Sequence, residues 1–321
     1  MQLYKTASCF TLGAIIIKCL YIYKKMIRKN NELLNNTCLK QELCETLNSI
    51  VAKEWVYDKK IVEFYDKENI SSVSKTFVEN SVTCGLLYDE YNIFIGIIDT
   101  ESLLNYVLTH SDMKTNLKNT VKSCTIVQGH ITLKEVCNFL CSGLKHITVY
   151  NENDYQIISQ RSIVKTLFEE SICEEYIMDV ISKSVHVLQL GTWNNIETCE
   201  VHESARNVFT KMYTSKISSV PITNKGAVVG IISLTDILYA CELLESIDEN
   251  VLDYLQKSRT YLRSNKELSC IVSCTKKCTL VQVLKTMLDS QVHQVYILEN
   301  QKVAGVITFL DVLKFFKKLI D

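Results

Sequence analysis

Two short apolar runs, Ser219-Val220-Pro221-Ile222 and Val228-Val229-Gly230-Ile231-Ile232, flank the polar stretch Thr223-Asn224-Lys225-Gly226. This pattern predicts a hairpin, with glycine where a positive φ is cheap. The second run leads into Ser233-Leu234-Thr235-Asp236 and then the apolar Ile237-Leu238-Tyr239-Ala240. A hydroxyl followed three residues later by a carboxylate marks a helix start, because both side chains can accept backbone N–H groups.

The pattern recurs. Near the C-terminus Val292–Leu298 and Val303–Ile307 flank Glu299-Asn300-Gln301-Lys302, and Thr308-Phe309-Leu310-Asp311 opens the helix Val312–Leu319. Amphipathic helices precede both copies, at Ser204–Tyr213 and at Leu280–Asp289, the latter with Val281, Leu284 and Leu288 on one face. Two weaker copies lie upstream. Cys84–Tyr88 and Ile93–Ile98 run into Asp99-Thr100-Glu101-Ser102 and Leu103–Leu108, after a helix at Ile70–Glu79. Ile147–Tyr150 and Tyr155–Ile158 run into Ser159-Gln160-Arg161-Ser162 and Ile163–Phe168, after a helix at Leu133–Leu140. The pattern predicts an α/β protein of four β-α-β-β-α units between about Ile61 and Phe316. A hairpin with a helix on either side cannot bury both faces alone, so the units should pair.

Composition narrows the function. The 321 residues, 47% of them hydrophobic, suffice for two domains with real cores. A net charge of −1 argues against nucleic acid, since no basic excess exists to neutralise phosphates. One proline and nine glycines leave little room for long linkers. The fourteen cysteines are scattered without a secretory framework and read as reduced thiols of a cytosolic protein. Cys270, Cys274 and Cys278 form the one regular cluster, without a C-x-x-C pair, so no metal is expected. Phe10–Tyr23 is apolar apart from Lys18, and Lys24, Lys25, Arg28 and Lys29 follow it. The run is shorter than the roughly 20 residues that span a bilayer. Residues 1–50 therefore read as a helical or partly disordered extension, with a membrane anchor through 10–23 as the alternative. Phosphate-loop, kinase, nucleophile-elbow and H-E-x-x-H signatures are absent, which argues against catalysis.

The four units resemble cystathionine-β-synthase (CBS) repeats, a family whose repeats pair into Bateman modules that bind adenine nucleotides. Ile181-Ser182-Lys183-Ser184, Leu188–Ile196, Leu255-Gln256-Lys257-Ser258-Arg259 and Val292-His293 resemble, more narrowly, the gamma regulatory subunits of AMP-activated protein kinases. The resemblance implies repeats at 51–112, 113–172, 181–246 and 262–321, the first two degenerate, forming two Bateman modules in a disk. It implies a regulatory protein that binds AMP, ADP or ATP mainly in the C-terminal module. Its implied partners are a catalytic alpha and a scaffolding beta subunit, in the cytoplasm, the nucleus or both. The rivals are a nucleotide-blind assembly subunit and a membrane-tethered CBS protein regulating a transporter.

A carboxylate can accept hydrogen bonds from both ribose hydroxyls, and a helix start favours phosphate. The resemblance makes Asp236 and Asp311 the ribose-binding residues, with helix capping as the plainer alternative. Ser102 and Ser162 occupy the equivalent positions of the first two repeats, and a neutral hydroxyl supplies no anionic acceptor. A site at Ser102 should therefore be weak or absent. Thr83 stands where the family has a phosphate-binding arginine, and the family's His-Arg pair becomes Lys145-His146 and His293-Gln294. Lys145, His146 and His293 are the candidates for phosphate, with a satisfied surface or interface histidine as the alternative for His293. Thr192 and Ser218 match positions lining the fourth site, or are simply strand and turn hydroxyls. Thr308 can cap its helix and touch phosphate, since a hydroxyl both donates and accepts.

Overall fold

The computed structural model describes residues 51–52, 61–110, 116–152, 154–171, 180–262 and 271–320. The segment 10–23 and Cys270 lie outside the described residues. Four β-α-β-β-α units follow one another. The first is β1 (Glu63–Tyr65), α1 (Ile70–Asn80), β2 (Cys84–Tyr88), β3 (Phe94–Asp99) and α2 (Thr100–Thr109). The second is β4 (Ile126–Gln128), α3 (Leu133–Cys141), β5 (His146–Asn151), β6 (Asp154–Ser159) and α4 (Gln160–Ser171). The third is β7 (Cys199–Glu200), α5 (Ala205–Ser215), β8 (Ser219–Asn224), β9 (Ala227–Ser233) and α6 (Ile237–Glu242), with a 3-10 turn at Leu234–Asp236. A connecting helix, α7 (Val251–Leu262), follows it. The fourth is β10 (Ser273–Cys274), α8 (Leu280–Asp289), β11 (Gln294–Glu299), β12 (Lys302–Thr308) and α9 (Phe309–Ile320).

In every unit the first strand pairs parallel to the second, and the second antiparallel to the third. The predicted third-unit hairpin is present, with Lys225 and Gly226 at φ 52° and 80° between the paired Asn224 and Ala227. Two positive φ values in a two-residue loop match the twist of the strands they join. Pro221 sits in the middle strand without breaking it, because the short β7 pairs only with Ile222 and Thr223.

The helix of each unit that precedes its hairpin presents the same apolar spacing. Ile70, Val73 and Phe77 are buried on α1, and Leu133, Val136 and Leu140 on α3. On α8 the buried set is Leu280, Val283, Leu284 and Met287. The face expected there was one position out, since Val281 and Leu288 are only half-buried. The helix keeps the expected bounds, and its buried set follows the i, i+3, i+4, i+7 spacing from Leu280.

By contact density the chain forms two compact units. Among the described residues, one comprises residues 51–52, Thr125–Leu167 and Phe309–Ile320, and within it α9 packs on α3. The other comprises Lys60–Cys124 and Phe168–Thr308. In this larger unit α1 and α2 of the first repeat pack on α5 and α6 of the third. Phe77, Leu104, Phe209, Leu238 and Tyr254 share that core. Ser74 donates to the Leu238 carbonyl at 2.8 Å inside it, and Ser71 donates to Glu242 at 2.7 Å beside it. On its other side the third repeat meets the fourth through their hairpins, where Val228 N–H donates to the Gln301 carbonyl at 2.8 Å. The strand Ser219–Asn224 is therefore buried on both faces along its first five residues. Burial pushes the Cys137 and Cys199 thiols up to about 12, so both stay neutral and behave as small apolar groups.

The helix contacts join sequence-distant repeats, and a break between 172 and 179 would strip the apolar face of α5 and α6. We expect fragments 1–171 and 180–321 to copurify when coexpressed, and the second fragment alone to self-associate and lose its cooperative melt. Size-exclusion chromatography and thermal unfolding check this, and a monomeric, cooperatively melting C-terminal fragment would contradict it.

Candidate functional site

Each repeat turns from its last strand into its last helix through four residues, and these junctions carry the candidate chemistry. In the third repeat Asp236 is fully buried. Its Oδ2 accepts from the Ser233 N–H at 2.7 Å and from the Ser233 hydroxyl at 2.9 Å. The Ser258 hydroxyl donates to Oδ1 at 3.0 Å, and Arg259 Nη2 donates to Oδ2 at 3.1 Å. Arg259 Nε lies 3.1 Å from Oδ1, but its N–H is not aimed there, so this contact is one of charge alone. The Tyr254 hydroxyl donates to the Asp236 main-chain oxygen at 2.6 Å. A carboxylate with no solvent contact needs such partners, since a lone buried charge costs several kcal/mol. Asp236 thus closes the 3-10 turn onto Ser233 and holds α7 at once.

In the first repeat the two residue types are exchanged. Asp99 is the N-cap and Ser102 lies three residues on. Asp99 Oδ1 accepts from the Ser102 N–H at 2.8 Å and the Ser102 hydroxyl at 2.9 Å, the mirror of the Ser233–Asp236 pair. Lys122 Nζ lies 3.2 Å from Asp99 Oδ2 and 2.7 Å from Glu101 Oε2. Burial works against the Lys122 ammonium, yet Asp99 and Glu101 together hold its pKa above the ordinary lysine value. Sequence reasoning that compared only the Ser102 position missed this carboxylate. The signal was present in Asp99-Thr100-Glu101-Ser102, read backwards. In the second repeat Ser159 and Ser162 bond each other reciprocally, at 2.9 and 3.1 Å, with no carboxylate among the described residues bonded to either. In the fourth, Thr308 ends β12 and Asp311 is the third residue of α9, both half-buried.

The remaining candidates fall in two places. Thr192, exposed, exchanges both main-chain hydrogen bonds with Val306 at 2.9 Å, two residues before Thr308. Thr308 pairs with Gln294, next to His293, and Ser219, next to Ser218, pairs with Ser233. The fold thus gathers Thr192, Ser218, His293 and Thr308 with Asp236 at one end of the third and fourth sheets. Lys145 and His146 stand at the start of β5 in the smaller unit, as does Asp311 in α9.

Between the two gathered sheets lies a buried polar cluster that sequence reasoning did not anticipate. Tyr296 donates to the Ser219 carbonyl at 2.9 Å, and Gln294 Nε2 donates to the Ser219 hydroxyl and, at 3.2 Å, to the Tyr296 hydroxyl. Gln294, the residue in place of the family's arginine, is therefore spent on binding one repeat to the next. A cleft of about 300 Å³ opens at the opposite, hairpin end of these sheets, lined by Trp193, Asn195, Glu200, Thr223 and Lys302 among others. None of the candidates lines it.

The CBS-domain family model matches residues 187–242 and 268–318, so the C-terminal half carries two CBS domains. The first two units share their β-α-β-β-α architecture. More narrowly, 162 residues, 50% of this chain, are 25% identical to the gamma subunit of the 5'-AMP-activated protein kinase of Kluyveromyces lactis, over 47% of that protein. The corresponding Saccharomyces cerevisiae subunit is 23% identical over 131 residues, 40% of this chain and 39% of its own length. The chain spans less than half the length of these curated relatives. Among solved structures, protein MJ1225 of Methanocaldococcus jannaschii, described as a proposed archaeal homologue of g-AMPK, superposes with a TM-score of 0.65. That match covers 83% of this chain and 100% of the archaeal one at 15% identity, a likeness of fold.

Removing Asp236 strands the Arg259 guanidinium. Asp236→Ala should lose about 3–5 kcal/mol of stability, and Asp236→Ala/Arg259→Leu should recover part of it. Urea unfolding of the two variants decides this, and equal losses would mean that the pair is not coupled.

Burial also pushes the Tyr296 phenol up to about 12 and the Tyr254 phenol well above its usual value. Unfolded phenols ionise near pH 10. Stability from these groups is therefore complete below about pH 10 and falls as pH rises towards 12, because only the unfolded chain releases the protons. Urea midpoints should drop over that window, and phenolate absorbance from these two side chains should appear only with unfolding.

Proposed function

We propose that this protein is a regulatory, non-catalytic subunit that senses adenine nucleotides in a heterotrimeric protein kinase of the AMP-activated type. The observation that carries the reading is the alignment of 162 residues, half the chain, with a gamma subunit of such a kinase. The four-repeat fold supports it along nearly the whole described chain. Nucleotide binds mainly in the C-terminal repeats, where Asp311 is the candidate ribose acceptor of the fourth junction, and where Thr192, Ser218, His293 and Thr308 are gathered at one end of the third and fourth sheets. A hydroxyl pair on a carboxylate makes charge-assisted hydrogen bonds, and the ligand shifts the kinase only by its differential affinity for active and inactive assemblies.

One observation favours a second reading, a nucleotide-blind assembly subunit. The junction carboxylates Asp99 and Asp236 are both saturated by the chain's own donors and cations.

Calorimetry of the full chain with AMP, ADP and ATP separates the two. We expect binding that Asp311→Ala weakens about tenfold or more, the loss of one charge-assisted contact. Affinity capture from cells should recover kinase alpha and beta subunits. Failure to bind any of the three nucleotides, with the kinase subunits still recovered, would leave the assembly reading. Absence of the kinase subunits would overturn both.

A further inference from the structure

Two repeats build the cleft at the hairpin end of the third and fourth sheets, and each brings one charge to it. Glu200 ends β7 in the third repeat, and Lys302 opens β12 in the fourth. The buried Thr223 hydroxyl donates to Glu200 Oε1 at 2.8 Å and fixes the carboxylate at the wall. Lys302 stands opposite Glu299 in the strand register, but Lys276 takes that carboxylate at 2.8 Å. Among the described residues no cation lies within ion-pair distance of Glu200, and no carboxylate within that distance of Lys302. A carboxylate and an ammonium therefore line one cleft without pairing with each other. The apolar wall is Trp193. Its N–H donates to the Leu190 carbonyl at 3.1 Å, and the His186 ring meets it edge-on at 5.4 Å. Its ring also lies against Gly305, where a Cβ would come within 2.9 Å of Cε3. These contacts hold the indole in place beforehand, so little ordering entropy is left for a ligand to remove.

We propose that this cleft binds a free α-amino acid with an apolar side chain, its ammonium on Glu200, its carboxylate on Lys302 and its side chain against Trp193. A volume of about 300 Å³ lies at the small end for ligand pockets and suits a ligand of amino-acid size. The two charges select by rejection as well as attraction. A simple anion meets Glu200, a simple cation meets Lys302, and only a zwitterion satisfies both. The contacts are unequal. Glu200 is half-buried and oriented by Thr223, so its hydrogen bond to an ammonium is charge-assisted and partly shielded from water. Lys302 is exposed, and an ion pair there is worth less. Because the two residues belong to different repeats, an occupant bridges the third repeat to the fourth beside the Val228–Gln301 hydrogen bond. The cleft lies wholly within the larger unit, and none of the candidate nucleotide residues lines it.

The test titrates the full chain with phenylalanine by ligand-observed NMR. Binding should saturate with a Kd of about 1 mM, the range of a small ligand in an open cleft. Phenylalaninamide, which lacks the carboxylate, should bind about threefold more weakly. N-acetylphenylalanine, which lacks the ammonium, should bind about tenfold more weakly or worse. Glu200→Gln keeps an acceptor for Thr223 and should weaken phenylalanine about tenfold without weakening N-acetylphenylalanine. Lys302→Met, at an exposed position, should weaken phenylalanine about threefold without weakening phenylalaninamide, and keeps the test open if Glu200→Gln does not fold. This crossed pattern ties each end of the ligand to one side chain. Phenylalanine binding that does not saturate below about 20 mM overturns the proposal. Losses that fall equally on phenylalanine and its blocked analogues overturn it as well.

Discussion

A three-stranded sheet flanked by two helices has more apolar face than it can cover by itself, and the arrangement of this chain follows from that constraint. Each repeat carries a helix with buried residues at one spacing, such as Ile70-Val73-Phe77 and Leu133-Val136-Leu140. Each also carries a hairpin with an apolar inner face. The third repeat satisfies both surfaces within the larger unit, its helices on the first repeat and its sheet on the fourth. That double burial leaves Ser219–Thr223 buried on both sides, with Pro221 tolerated because its missing N–H faces no neighbouring strand.

Burial on this scale forces the polar groups at the seams to be solved locally. Asp236, Ser258 and Arg259 form one solution, and Ser219, Gln294 and Tyr296 another. Each ties the third repeat to the chain that follows it. The proposed ligand-binding surface and a structural seam draw on the same side chains. Asp236 shows the competition most plainly, because helix start, connecting helix and candidate ribose contact all draw on one carboxylate. The first repeat has settled it with Asp99 and Lys122, and the second has replaced charge with a pair of serines.

The repeat architecture was legible in the amino-acid sequence because it depends on short-range periodicity. Strand alternation, turn residues and helix spacing are local, and four copies reinforce one another. Even there the buried face of α8 was misread by one position, since both Leu280-Val283-Met287 and Val281-Leu284-Leu288 carry helical spacing and only packing chooses between them. Family resemblance rather than periodicity singled out Thr192, Ser218, His293 and Thr308, and the pairing of Thr192 with Val306 and of Thr308 with Gln294 brings them to one end of two sheets.

Only the tertiary structure decided what those side chains are engaged in. That Arg259 neutralises Asp236 across 23 residues, that Lys122 does so for Asp99, and that Gln294 is consumed by Ser219 are contacts between elements with no shared period. A pattern of residue types records which groups can bond and how far apart they lie along the chain. Which donor reaches a buried carboxylate first is settled by packing, here by α7 closing over Gly230 and by the sheet seam that brings Tyr296 onto Ser219.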